Sequence, residues 1–117
     1  MNASIREIEG TRIIDVAGDV DLGGSPALRR MLFEALRESP KVVINLTAIR
    51  YIDSSGIAVM IEALKESQRL KRQFVLFGMN ARVRAVFQLT HVMQIFQIVD
   101  TEEQAIAAGN PRARGGE

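Results

Sequence analysis

The chain has 117 residues, 47% hydrophobic and 25% charged, with a formal net charge of +1 and no cysteine. That length fits one domain able to bury its own core, and the zero cysteine count excludes disulfides and thiolate metal sites. The basic residues Arg69 to Arg72, Arg112 and Arg114 form short, interrupted runs rather than a face for nucleic-acid phosphates; no apolar run approaches the ~20 residues of a membrane span, and Met1-Asn2-Ala3-Ser4 is no signal peptide, so a soluble cytoplasmic protein is expected.

Two short apolar segments come first, Ser4 to Ile8 and Arg12 to Ala17, joined by Glu9-Gly10-Thr11. Gly10 can take the positive φ of a tight turn, so the pair predicts a β-hairpin. Gly18 to Gly24 reads as a loop. Ser25-Pro26 reads as a helix cap followed by proline at the first helical position, after which Leu28, Met31, Leu32, Ala35 and Leu36 keep helical spacing until Pro40. Val42 to Leu46 is a β-branched run short enough for a buried strand, and Thr47 to Ile52 read as a connection. Beyond Asp53-Ser54-Ser55-Gly56, Ile57, Met60, Ile61 and Leu64 make one helical stripe, with Glu62 and Glu66 opposite and Glu66 within pairing range of Arg69. Phe74 to Phe77 is the next strand, Val83, Val86 and Phe87 mark a short amphipathic helix, and Ile95 to Val99 a last strand. Thr101 and Gln104 have the spacing of a capping box. Asn110 to Glu117 holds too few apolar groups to pack and reads as a frayed tail.

The order β-β-α-β-α-β-α-β-α predicts an α/β fold: one mixed sheet of about four or five strands, about four helices, and an antiparallel N-terminal hairpin. The predicted core includes Ile44, Leu46, Ile57, Met60, Ile61, Leu64, Val75 and Phe77. In such sheets chemistry gathers where strands end and helices begin. Two junctions qualify: Gly18 to Gly24, which carries Asp19 and Asp21, and Asp53-Ser54-Ser55-Gly56. The second reads in two ways. Asp and Ser are preferred N-cap residues, so it serves simply to start a helix. Alternatively, an exposed serine at a helix N-terminus suits a phosphate, whose charge the helix dipole favours and Asp53 opposes.

Tyr51-Ile52-Asp53-Ser54-Ser55-Gly56-Ile57-Ala58-Val59-Met60 resembles the signature of STAS-domain anti-sigma factor antagonists. Gly18-Asp19-Val20-Asp21 resembles that family's acidic step after the second strand, and Val86-Phe87-Gln88-Leu89-Thr90 its penultimate helix. The resemblance spans about residues 4 to 108. It implies a STAS domain over residues 1–108 and a partner-switching cycle; residues 109–117, by their composition, are expected to form a disordered tail beyond it. Unphosphorylated, the protein would bind an anti-sigma factor, a serine kinase of histidine-kinase-like ATPase fold, and so free the sigma factor. The kinase would phosphorylate Ser54, dissolving the complex, and a metal-dependent serine phosphatase would reset it. Ser55 would be a helper hydroxyl; Asp19, Asp21, Asp53 and Gly56 would support the loop or face the partner, with the docking surface spanning Asp53 to Val59 and Gly18 to Gly24. No catalytic residue, metal site, cofactor, nucleic-acid partner or membrane insertion is implied.

Relatives often carry glycine where Ala58 and His91 stand, and a Gly-Gly turn where Lys71-Arg72-Gln73 stands. These departures bear on partner identity rather than on the switch. Within the same family an alternative role is docking on a transporter ATPase or permease, as in lipid-trafficking ABC systems. A serine hydrolase is disfavoured, because no Gly-x-Ser-x-Gly elbow is present and His91 is a lone histidine. A phospho-aspartate receiver would use Asp19, Asp21 and Asp53 around Mg²⁺, but the opening hairpin argues against that fold.

Overall fold

Val42, Val43 and Ile44 point alternately to opposite faces of a sheet, yet all three are fully buried. A strand with this pattern must be covered on both sides. It belongs to β3 (Lys41–Ile52), the centre of a five-stranded sheet with β1 (Asn2–Ile8), β2 (Thr11–Val20), β4 (Gln73–Phe77) and β5 (Gln97–Val99). The computed structural model describes residues 1–110 of the chain. The strands lie in sequence order, β1 antiparallel to β2 and all other neighbours parallel. Right-handed crossovers between adjacent parallel strands carry successive helices to one face. Accordingly α1 (Ser25–Glu38), α2 (Ser54–Arg69) and α3 (Ala81–Leu89) share one core with Ile14, Val16, Ile44, Leu46 and Leu76. On the opposite face α4 (Glu102–Ala107) packs Ala105 and Ile106 over Ile13, Val43, Val75 and Phe77.

The expected hairpin is present, with a turn one residue tighter than its composition suggests. Ile8 pairs with Thr11, leaving a two-residue loop in which both Glu9 (φ 50°) and Gly10 (φ 81°) are left-handed. This is the turn whose twist matches that of the flanking strands. Two junctions are corrected more substantially. Gly18, Asp19 and Val20 continue β2 instead of opening a loop, and Thr47 to Ile52 continue β3 instead of connecting it to the helix. The β2–β3 register shifts between Asp15 and Ala17 and again between Gly18 and Asp19, each time placing an extra residue in β3. These bulges turn the burial period from two to three: Leu46, Ile49 and Ile52 are buried, whereas Thr47, Ala48, Arg50 and Tyr51 are exposed.

Ser25 is the first residue of α1, not its cap; Gly24 holds that place without a side-chain hydrogen bond. In α2 the buried seam is Gly56, Ile57, Val59, Met60, Ala63 and Ser67, while Ile61 and Leu64 are only partly buried. The last strand starts at Gln97, since Met93–Ile95 form a short 3-10 turn. The Thr101–Gln104 capping box and the Glu66–Arg69 pair (2.8 Å) form as expected. Of the predicted tail, Gly109 offers its carbonyl to Gln73 (3.0 Å) and Gln97 (2.9 Å); residues 111–117 lie outside the described part. No helix among the described residues is long and apolar enough to cross a membrane.

Candidate functional site

The C-terminal ends of β2 and β3 bring both predicted junctions together. The N–H of Asp53 donates to the carbonyl of Val20 at 3.2 Å, tying the start of α2 to the end of β2. Gly56 makes the approach possible: a Cβ there would lie 2.7 Å from Ile52 Cγ1 and 2.8 Å from Val20 Cγ1. A side chain fits there only if those of Ile52 and Val20 give way.

Asp53 caps α2. Its Oδ1 accepts from the N–H of Ser55 (2.9 Å), the N–H of Gly56 (3.3 Å) and the hydroxyl of Ser55 (2.5 Å). The Ser55 hydroxyl is the main reason the Asp53 carboxyl is held below its usual range, with the two backbone N–H groups adding to it. Two orphan donors of the helix N-terminus are thereby satisfied. Ser55 is half-buried and its hydroxyl is committed. Ser54, the first helical residue, is exposed, and its hydroxyl has no hydrogen-bond partner among the described residues.

Asp21 organises the neighbouring loop rather than projecting freely from it. Its Oδ1 accepts from the N–H groups of Gly23 (3.1 Å) and Gly24 (3.3 Å), and its carbonyl accepts from Gly24 (3.1 Å) and Ser25 (2.9 Å). Asp19 is paired with Arg50 across the strands, Nε to Oδ1 at 2.9 Å and Nη2 to Oδ2 at 3.0 Å. Arg50 holds the Asp19 carboxyl below its usual range. Arg50 was not anticipated as a site residue: 31 residues separate it from Asp19, and only the β2–β3 register brings them together. Tyr51 (52% exposed) and Leu22 (76% exposed) add apolar surface at this end of the sheet. The expected docking surface is narrower than its sequence span, because Gly56, Ile57 and Val59 face inward. Asp53, Ser54, Ser55 and Ala58 remain accessible to a partner.

The chemistry available here is that of an acceptor hydroxyl. Among the described residues no group of three His, Cys, Asp or Glu side chains could hold a metal ion, so Asp19, Asp21 and Asp53 do not form a receiver-type cluster. His91 follows α3 and makes no hydrogen bond to either serine. Among the described residues, no side chain hydrogen-bonds the Ser54 hydroxyl.

The family model described as "STAS domain" matches residues 2–105. The chain is similar to the anti-sigma-B factor antagonist of Listeria monocytogenes, 33% identical over 106 residues, covering 87% of this chain and 93% of the relative. It superimposes on the crystal structure of an anti-sigma factor antagonist from Mycobacterium paratuberculosis with a TM-score of 0.83 at 20% identity, covering 91% of each chain. The Bacillus cell fate determinant SpoIIAA in its phosphorylated form superimposes with a TM-score of 0.70 at 20% identity, covering 91% of this chain and 97% of that one.

Proposed function

The chain belongs to the STAS domain family, and from that membership we propose that it acts as an anti-sigma factor antagonist whose switch is the hydroxyl of Ser54. The observation that carries the assignment is the contrast between neighbours: Ser54 is exposed and unengaged, whereas the Ser55 hydroxyl is held by Asp53 at 2.5 Å. Unphosphorylated, the surface formed by Asp53, Ser54, Ala58 and the Asp21 loop docks on an anti-sigma factor that is also a serine kinase. The sigma factor is then free.

Phosphorylation ends the complex. Ser54 Oγ bonds to the γ-phosphorus of ATP as the bond to the leaving ADP oxygen breaks, and the hydroxyl proton passes to a base of the kinase. The product places nearly two negative charges on the first residue of α2. The helix dipole favours them, but Asp53 is already in the cap, and Asp21 and Asp19 lie on the adjoining strand end and loop. A surface that fitted a kinase with a neutral hydroxyl now presents concentrated negative charge to it. Hydrolysis of the phosphoserine by a metal-dependent phosphatase restores the hydroxyl.

The test is intact-mass spectrometry with fragment mapping on protein isolated from its own cells. One added phosphate on Ser54 is expected, with Ser54→Ala unmodified and persistently bound to its kinase. Stoichiometric phosphate on another residue of Ser54→Ala would overturn the assignment.

A further inference from the structure

We propose that the outer edge of β1 pairs with the same edge of a second copy of this chain, joining two five-stranded sheets across a twofold axis at Ile5. β1 lies at the end of the sheet and is paired on one side, with β2. A two-residue turn closes on a hydrogen-bonded pair, here Ile8 with Thr11, and alternate residues of β1 then direct their backbone groups to β2. Asn2, Ser4, Arg6 and Ile8 are that set, so Ala3, Ile5 and Glu7 direct theirs outward. Among the described residues no backbone hydrogen bond joins these outward groups to another element of the fold.

Sheets ordinarily protect such an edge with proline, lysine, a bulge or a covering element. β1 has neither proline nor lysine, its register with β2 runs unbroken over seven residues, and Ser4 to Glu7 are all exposed. Its two charges are of opposite sign and already engaged within the chain, Arg6 by Asp15 and Glu102 at 2.6 Å each and Glu7 by Arg12 at 3.3 Å. Ile5 is 48% exposed, although it lies on the face of the sheet that α1 and α2 cover, where its strand partner Ile14 is fully buried. The opposite edge strand, β5, has only three residues and is a much shorter template.

The strand's own sequence selects a second copy as its partner. Its seven residues are centred on Ile5 and so pair with themselves, antiparallel, without overhang. Ile5 then faces Ile5 of the second copy, Ala3 faces Glu7 and Ser4 faces Arg6. No like charges are directly opposed, and all three outward residues of each strand are hydrogen-bonded. A slip of two residues in either direction leaves one of the three beyond the partner strand, and one of those slips sets Arg6 against Arg6. A slip of one residue aims outward groups at residues whose own groups are spent on β2. Packing Ile5 against its copy also removes apolar surface that the single chain leaves in water. The interface is small, so the dimer is weak, with an expected Kd of about 0.1 mM. The assignment of Ser54 plays no part in it.

The experiment is sedimentation equilibrium of the full chain from about 10 µM to about 1 mM, with amide hydrogen exchange of the ¹⁵N-labelled protein at both ends of that range. A doubling of mass is expected. Exchange at Ile5 and Glu7 should slow at high concentration, while that at Ser4 and Arg6, already paired with β2, changes little. Ile5→Lys sets two like charges against each other at the axis and should weaken the dimer about tenfold. Ile5→Pro deletes an outward N–H that β2 does not use and should weaken it as well. The proposal is overturned if the mass stays that of one chain throughout, if it grows beyond two chains, if it doubles without slowing exchange at Ile5 and Glu7, or if both variants dimerise like the parent protein.

Discussion

The carboxylate of Asp53 separates two adjacent serines by where their hydroxyls can go. Ser55 is drawn back into the cap and Ser54 is left facing outward. Asp53→Ala should lose about 1 kcal/mol of stability, the usual cost of an N-cap, in urea denaturation. The same variant frees the Ser55 hydroxyl, so phosphopeptide mapping after kinase treatment should find modification at both serines rather than at Ser54 alone. Gly56 answers a different constraint. Gly56→Ala drives a methyl group into Ile52 and Val20 and should cost about 1–3 kcal/mol, the range for overpacking. A urea midpoint equal to that of the parent protein would show that the strand ends yield more easily than their packing implies.

At the scale of elements, β1 and α4 are held to the sheet by charge. Arg6 on β1 pairs with Asp15 on β2 (2.6 Å) and with Glu102 on α4 (2.6 Å), while Asn45 on β3 donates to Asp15 at 2.8 Å. Arg6, and then Asn45, hold the half-exposed Asp15 carboxyl below its ordinary range, against the opposing effect of burial. A carboxylate depressed in the folded state contributes stability above its unfolded pKa, near ~3.9, and loses it as pH falls through the lower folded value. Urea stability should therefore decline as the medium is acidified below about pH 4, and Asp15→Asn should flatten part of that decline. The helix ends explain two departures from the family pattern. Lys71 (φ 58°) and His91 (φ 57°) occupy the left-handed region, where glycine is the easiest residue. His91→Gly relieves that strain but gives the unfolded chain more freedom, so the expected gain is at most about 1 kcal/mol. Thermal melting would measure it.

Across the whole molecule, Ser54, the proposed switch residue, and the core are kept apart. Phe87, Leu32, Leu36 and Met60 are fully buried beneath the helices, while Ser54 sits exposed at the end of the sheet. A charge added at Ser54 changes the surface without entering the core. Ser54→Glu should therefore stay within about 0.5 kcal/mol of the parent in urea, as exposed substitutions do. Its affinity for the anti-sigma factor, read by calorimetry, should fall at least tenfold. A phosphomimic that unfolded the domain would replace partner repulsion with a stability mechanism.

The order of elements, the hairpin, the Thr101 capping box and the helix beginning at Asp53-Ser54-Ser55-Gly56 were legible from the chain because each rests on residues a few places apart. Turn chemistry, capping and helical spacing act over that range. The extension of β3 through Thr47 to Ile52 was not legible, because its bulges replace strict alternation with burial at every third residue. Resemblance could point to Ser54, but sequence could not say which serine hydroxyl was free. That depended on the rotamer by which Ser55 reaches Asp53. The pairing of Asp19 with Arg50 and the bond from Asp53 to Val20 join residues far apart in the chain. Only the register of parallel strands and the packing of helices over them bring such groups within bonding distance, and neither leaves a local trace in the order of residues.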